Sequence, residues 1–263
     1  MPELERPDGV AIHYDVRGEG PLFAIAGHWS WSPEVFDSLY AELERDLSVL
    51  TYDLRGTGQS TRRGPYDMET DLGDLEALLE ARGGAIGALA LADAVNRIAR
   101  LAARRPDLLV NAICFGAPPV HRSNLGGEQA LAGSDSVVEA FHEMIKRDYR
   151  GALRSMVAAT NPQMDEAGRQ ARVAALVEHI PQEAAIGRMQ AWLADEPVEE
   201  GQSIGERLCV LAPSERAGTI WFPRPEELAR LTNELFPEAR LTVLEEGMVS
   251  HPAEGASMIR AFL

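Results

Sequence analysis

The sequence predicts an α/β protein with a mostly parallel central sheet, helices on both faces and a helical lid inserted late in the chain. Three observations carry this. Residues 85 to 107, AIGALALADAVNRIARLAARRPD, read as a charge-free strand from Ala85 to Leu91, a sharp turn of small residues, and a helix with Val95, Ile98, Leu101 and Ala102 on one face. Short apolar runs alternate with amphipathic segments along most of the chain, as expected of parallel strands joined by helical crossovers. From about Ser123 to Glu200 strand signals stop and only helical faces continue.

Composition narrows the function classes. At 263 residues the chain has room for one sizeable domain with an insertion. A net charge of -16 argues against nucleic acid or an anionic membrane surface as partner. There is no apolar run near ~18 residues and no charged-then-apolar leader, so a cytoplasmic location is expected. Cys114 and Cys209 each lie in an apolar run and read as reduced core thiols. No C-x-x-C, H-E-x-x-H or G-x-x-x-x-G-K motif is present; no cofactor is expected, and the expected partner is a small molecule. The sequence specifies no oligomeric state.

The elements follow in order. Val10, Ile12 and Tyr14 alternate with polar residues as an edge hairpin strand does, and Arg17 to Pro21 supply its turn. Leu22–Ala26 is the next strand, running into Gly27-His28-Trp29-Ser30-Trp31. Val35–Arg45 is an amphipathic helix and Leu47–Tyr52 a strand. The turn-forming run Asp53-Leu54-Arg55-Gly56-Thr57-Gly58-Gln59-Ser60 comes next, with Asp53 and Arg55 placed to fix it by charge-assisted hydrogen bonds. Met68–Leu79 is a helix with acids toward its start, and Gly83-Gly84 release the chain into the central strand. Arg104, Arg105 and Pro106 close the helix after it. Leu108–Phe115 is a buried strand ending at Gly116-Ala117-Pro118-Pro119-Val120-His121.

Within the insertion, Val137, Phe141, Met144 and Ile145 form one helix face, Ala175, Leu176 and Ile180 a second, and Ile186, Met189 and Trp192 a third. Asp195–Gly201 reads as the return loop. Arg207–Ala212 resumes the sheet, Glu226–Phe236 is a helix, Leu241–Leu244 the last strand, and Met258–Leu263 part of a closing helix. The division is a core of 1–122 and 201–263 with a lid of 123–200.

The Asp53–Ser60 run matches the D-x-R-G-x-G-x-S loop of the α/β-hydrolases at every defined position, and the chain resembles that family over nearly its whole length. The resemblance implies a nucleophile elbow, G-x-S-x-G, between the central strand and its helix. Here that pattern falls on Ala90, Ala92 and Ala94, so the nucleophile's position holds a methyl group. Aligning the strand after the insertion puts Arg216 at the family's acid, with Glu215 one residue away. The family's histidine falls on Met248, with His251 three residues on. Gly27 fits the glycine of the oxyanion loop, although Ala26 stands where a histidine is usual, and the donor N–H there belongs to His28.

With all three triad positions replaced, a Ser-His-Asp acyl transfer is not expected. The acid–base candidates are Asp93, whose other reading is a helix-start acid; His251, otherwise a loop histidine; and Glu215. Substrate-binding candidates are His28, Trp29, Ala92, His121, Met189, Trp192 and Met248, of which His28 and Trp29 serve equally as packing under the lid, while Met189 and Trp192 are more often lid core. Three functions remain open. The first is non-covalent cyclase, isomerase or lyase chemistry on a small, largely apolar molecule, such as a natural-product intermediate. The second is binding without turnover, and the third is hydrolysis by water that His251 or Asp93 activates.

Overall fold

The computed structural model describes residues 2–30, 36–120, 135–161, 164–214, 224–245, 248 and 251–263, with the backbone alone for 135–138. Its strands are β1 (Glu3–Glu5), β2 (Ala11–Arg17), β3 (Leu22–Ile25), β4 (Ser48–Tyr52), β5 (Ala85–Leu91), β6 (Leu109–Phe115), β7 (Leu208–Pro213) and β8 (Arg240–Leu244). They form one sheet in the order β1-β2-β4-β3-β5-β6-β7-β8. The β1–β2 hairpin and the β2–β4 pair are antiparallel; every later pairing is parallel.

Side-chain alternation along the strands builds two cores. Phe23, Ile25, Leu89, Leu91, Ile113 and Phe115 point to one face, covered by α1 (Asp37–Leu43) and α10 (Pro252–Phe262). The other face carries Ala24, Ala88, Ala90, Ala112 and Cys114 under α2 (Met68–Arg82) and α3 (Asp93–Arg104). Small strand residues there let α3 sit close, and every residue from Asp93 to Ala102 is buried. Cys114 and Cys209 face opposite cores as thiols. Burial raises the pKa of both, that of Cys209 to about 12.

Between β6 and β7 stand α4 (Asp135–Arg147), α5 (Tyr149–Thr160), α6 (Glu166–His179), α7 (Gln182–Leu193) and α8 (Val198–Ile204); α9 (Pro225–Leu235) precedes β8. The helices α4 to α7 have an apolar cluster of their own, including Phe141, Ile145, Leu153, Met156, Val173, Leu176 and Met189. Asp148 and Asp165 cap α5 and α6 by accepting the N–H of Gly151 and Gly168. None of the described helices is long and apolar enough to cross a membrane.

Two local expectations are corrected. The expected return loop is partly helical, since α8 starts at Val198 and crosses position 200. Pro197 precedes it, Glu199 and Glu200 suit its first turn, and Gly201 and Ile204 are buried. Ala175 is exposed and does not share the apolar face of Leu176.

Candidate active site

In an open α/β sheet, ligands collect at the carboxyl ends of the strands where the order reverses. Here that point lies between β3 and β5: β4 follows β3 on one side, and β5 returns to its other side. The carboxyl end of β3 leads into Gly27-His28-Trp29-Ser30 and that of β5 into Ala92, so topology alone brings the two loops singled out in the sequence together.

Ala92 has φ 44° and ψ -123°, the only non-glycine residue with positive φ among the described residues. Such a conformation costs roughly 1–3 kcal/mol and persists only where the surroundings impose it. The tight strand-to-helix turn is therefore retained around a side chain with no nucleophilic atom. No side chain caps the start of α3 behind it.

The next residue, Asp93, is almost wholly buried. Its Oδ2 accepts from Arg97 Nη2 at 2.6 Å, one helical turn on, while Oδ1 has no hydrogen-bond partner. Across 3.7 Å from that oxygen stands His28 Nε2. The Ser30 backbone N–H donates to His28 Nδ1 at 2.9 Å, so the proton of the neutral ring lies on Nε2 and faces Asp93. Burial lowers the His28 pKa, the Asp93 carboxylate acts against this, and Arg97 adds to it. The imidazole is therefore neutral at pH 7.

Arg97 Nη1 donates to the carbonyl of Gly27 at 2.8 Å, tying α3 to the loop after β3. Burial opposes its charge, yet Tyr52, Asp93 and Asp71 together hold its pKa above the ordinary value. Burial also raises that of the Tyr52 phenol.

A cavity of about 30 Å³, room for a water molecule, opens beside this group. Its wall includes Gly27, His28, Leu91, Tyr52, Asp53 and His179. The Asp53–Ser60 loop forms one side, and Asp53 and Arg55 fix it by charge-assisted hydrogen bonds as expected, each to a partner of its own. Asp53 Oδ2 accepts the Gln59 N–H at 2.8 Å, whereas Arg55 donates to both oxygens of Asp74 in α2 and to Asp8. Gly58, at φ 50°, leaves no space for a Cβ against the Asp53 carboxylate. The inserted helices dock on the same loop. The Gly58 N–H donates to the His179 carbonyl, and Arg188 of α7 bonds to Asp71 and to the Arg55 carbonyl.

The structure thus brings together His28, Ala92 and Asp93. Trp29 and Met189 are buried in the cluster of the inserted helices, and Trp192 packs against it half-buried. Met248 is buried in the core under α10, against Gly255. His251 is exposed at the start of α10. Glu215, Arg216, His121 and Trp31 lie outside the described residues. Sequence reasoning overlooked Arg97 and Tyr52 and found no usable pattern at His179. The four-residue step from Asp93 to Arg97 was a readable signal for the first, whereas nothing local marks the other two.

No family model and no curated protein matches the chain. Solved structures do. A bromoperoxidase from Bacillus anthracis is 19% identical with a TM-score of 0.79, covering 96% of this chain and 95% of that one. An enol-lactonase from Burkholderia xenovorans LB400 is 20% identical with a TM-score of 0.74, covering 99% of each. An alpha/beta hydrolase from Sphaerobacter thermophilus is also 20% identical, with a TM-score of 0.72 over 99% of each. Likeness at these identities establishes the α/β-hydrolase fold and leaves the activity to the site itself.

Proposed function

We propose that this protein is an enzyme that keeps the α/β-hydrolase scaffold but works without a covalent intermediate, on a small and largely apolar molecule, by cyclisation, isomerisation or elimination. One observation carries the reading. Directly after an elbow residue with no nucleophile, a buried carboxylate oxygen without a hydrogen bond faces a neutral imidazole. Buried oxygens are nearly always paired, so an orphan at this point suits a group that a substrate proton completes. Asp93 is then the proton acceptor. His28 positions the reacting group, and the N–H groups at the start of α3 and at His28 stabilise developing enolate charge. His251 and Glu215, which follow β8 and β7 in the chain, are the further acid–base candidates. The inserted helices serve as the lid. Holding a reactive conformer needs no nucleophile.

The similar structures named bromoperoxidase and enol-lactonase are consistent with varied chemistry on one scaffold, and neither supplies a substrate for this chain. A second reading, binding without turnover, draws on the Asp93–Arg97 ion pair and on Met248 sealed in the core, both of which suit a closed, inert interior.

The test is incubation of the purified protein with a small-molecule extract of its source, followed by mass spectrometry against a boiled control. Loss of one compound with gain of another of equal mass, or one lighter by water or carbon dioxide, supports the enzyme. Gain of water indicates hydrolysis through Asp93 or His251. Stoichiometric retention without conversion favours binding. Asp93→Asn, which keeps the shape, should lower turnover at least about tenfold.

A further inference from the structure

The pairing of Asp93 with His28 restricts what chemistry can complete it. Asp93 is 2% exposed, and its Oδ1 is a buried acceptor without a hydrogen bond. That oxygen is aimed at the ring edge of His28, whose Nε2 stands 3.7 Å away. His28 is in turn a wall of the cavity that has room for a water-sized group.

Both groups have their roles set by a second contact. Arg97 Nη2 occupies Asp93 Oδ2 at 2.6 Å, which leaves Oδ1 as the acceptor facing the ring. The Ser30 backbone N–H occupies His28 Nδ1 at 2.9 Å, which leaves Nε2 as the donor. An acceptor and a donor thus face each other across a span too long for one hydrogen bond.

The ligand atom that suits both must donate to Oδ1 and accept from the Nε2–H at once. An ammonium or amide N–H only donates; a carbonyl, nitrile or carboxylate only accepts. A hydroxyl oxygen does both. We infer that Asp93 and His28 form a binding site for a hydroxyl group, of an organic alcohol or of water, which donates to Asp93 Oδ1 and accepts from His28 Nε2. Charge argues the same way. Arg97 already balances the Asp93 carboxylate, so an ionic ligand would be buried there without a counter-charge. As a statement about substrate, the inference rests on the reading of Asp93 as proton acceptor. The hydroxyl proton then passes to Oδ1, its bonding electron pair stays on the oxygen, and the resulting alkoxide keeps the hydrogen bond from His28.

The probe is methanol, titrated into the full chain carrying isotope-labelled histidine while the ring nitrogens of His28 are followed by NMR. Saturable movement of the Nε2 signal is expected from roughly ten millimolar upward, the range for so small a ligand. Acetonitrile, which only accepts, and methylammonium, which only donates, should leave the signal in place at equal concentration. Cross-relaxation from the Nε2–H to the methanol methyl group, or to a long-lived water before methanol is added, identifies which hydroxyl occupies the site, and either supports it. Cross-relaxation to neither, or equal shifts with acetonitrile or methylammonium, would overturn it.

Asp93→Asn reverses the logic. Arg97 retains the amide oxygen, so an NH2 group replaces Oδ1 and the pair presents two donors. The ratio of affinities should move from methanol toward acetonitrile by at least about tenfold. An unchanged ratio in the folded variant also counts against the site, and the three probes on the unaltered chain decide the matter if the variant does not fold. Failure here is separable from failure of the proposed function. Hydroxyl binding in a chain that converts nothing from the extract keeps this site and removes the enzyme. Conversion of a compound that lacks a hydroxyl, by a chain that binds neither methanol nor water at His28, does the reverse.

Discussion

The Asp53–Ser60 loop and Leu91, the residue that leads into the elbow at Ala92, line the same cavity, yet loop and elbow are held in opposite ways. In the loop the motif side chains carry bonds. Asp53 accepts from Gln59, Arg55 reaches Asp74 and Asp8, and Ser60 Oγ bridges the His13 N–H and the Asp53 carbonyl. In the elbow, Ala90 and Ala94 are fully buried and have no side-chain polar atom, so these motif positions act through volume alone. A loop specified by polar bonds cannot lose its residues and keep its shape. A turn specified by packing keeps its shape through any exchange of small residues, including one that removes the nucleophile.

The largest test of that contrast is at Asp74. It is buried with Arg55, whose Nε and Nη2 it binds at 2.7 Å each. Asp74→Ala leaves the buried Arg55 guanidinium with only the half-exposed Asp8, frees Arg6 of its carboxylate, and should cost about 3 kcal/mol, read by chemical denaturation. Arg55→Met with Asp74→Leu should recover most of it. A loss below about 1 kcal/mol in the single variant would show that the ion pair does not hold the loop.

At the elbow the expected effect is smaller and of opposite sign. Ala92→Gly removes strain worth roughly 1–3 kcal/mol and adds unfolded-chain entropy worth about 0.4–1 kcal/mol, for a net gain near 1 kcal/mol. Ala92→Val, β-branched at positive φ, should destabilise. A loss on Ala92→Gly would mean that the backbone there is not strained. Ala92→Ser with Arg216→Asp and Met248→His should still fail to cleave simple esters if the pocket itself has diverged.

The same contrast explains what was legible. The loop and the strand–turn–helix at 85–107 announce themselves locally, because hydrogen-bonding turns and apolar periodicity are short-range patterns. The strands expected from β3 to β8 lie within a few residues of their limits and β5 matches at both ends, whereas β1 and α5 were not anticipated and α10 begins earlier, at Pro252. Asp93 and His28 were each readable as candidates, yet their meeting required β3 and β5 to be neighbours, which is a property of topology. His179 was opaque for a stronger reason: it sits 126 positions beyond Asp53 in an inserted helix, and only docking of that insertion brings the two side chains to 3.6 Å. Asp53 and Arg55 both fix the loop by charge-assisted bonds as expected, and what the sequence left open is the partner: Arg55 is long enough to reach α2, where Asp74 offers both oxygens in a buried fork.

Protonation gives the finest test of the elbow side. Burial is the main cause that lowers the pKa of His28, and it does the same for His142 of α4, whose Nε2 is buried without a partner. The folded protein therefore binds fewer protons at these positions than the unfolded chain, whose histidines titrate near ~6.5. Their contribution is complete above that pH and is lost as the pH falls through it toward the lower folded values, by at most about 1.4 kcal/mol per pH unit for each ring. Carboxylates such as Asp8 and Asp46, lowered by Arg55 and Arg260, act only further down, below about 4. Between pH 7 and 5 the melting temperature should fall, and His28→Gln should flatten that fall because glutamine does not titrate. An unchanged slope in His28→Gln, with His142→Leu also without effect, would mean that neither ring is held neutral, and would remove the fixed Nε2 proton on which the pairing with Asp93 rests.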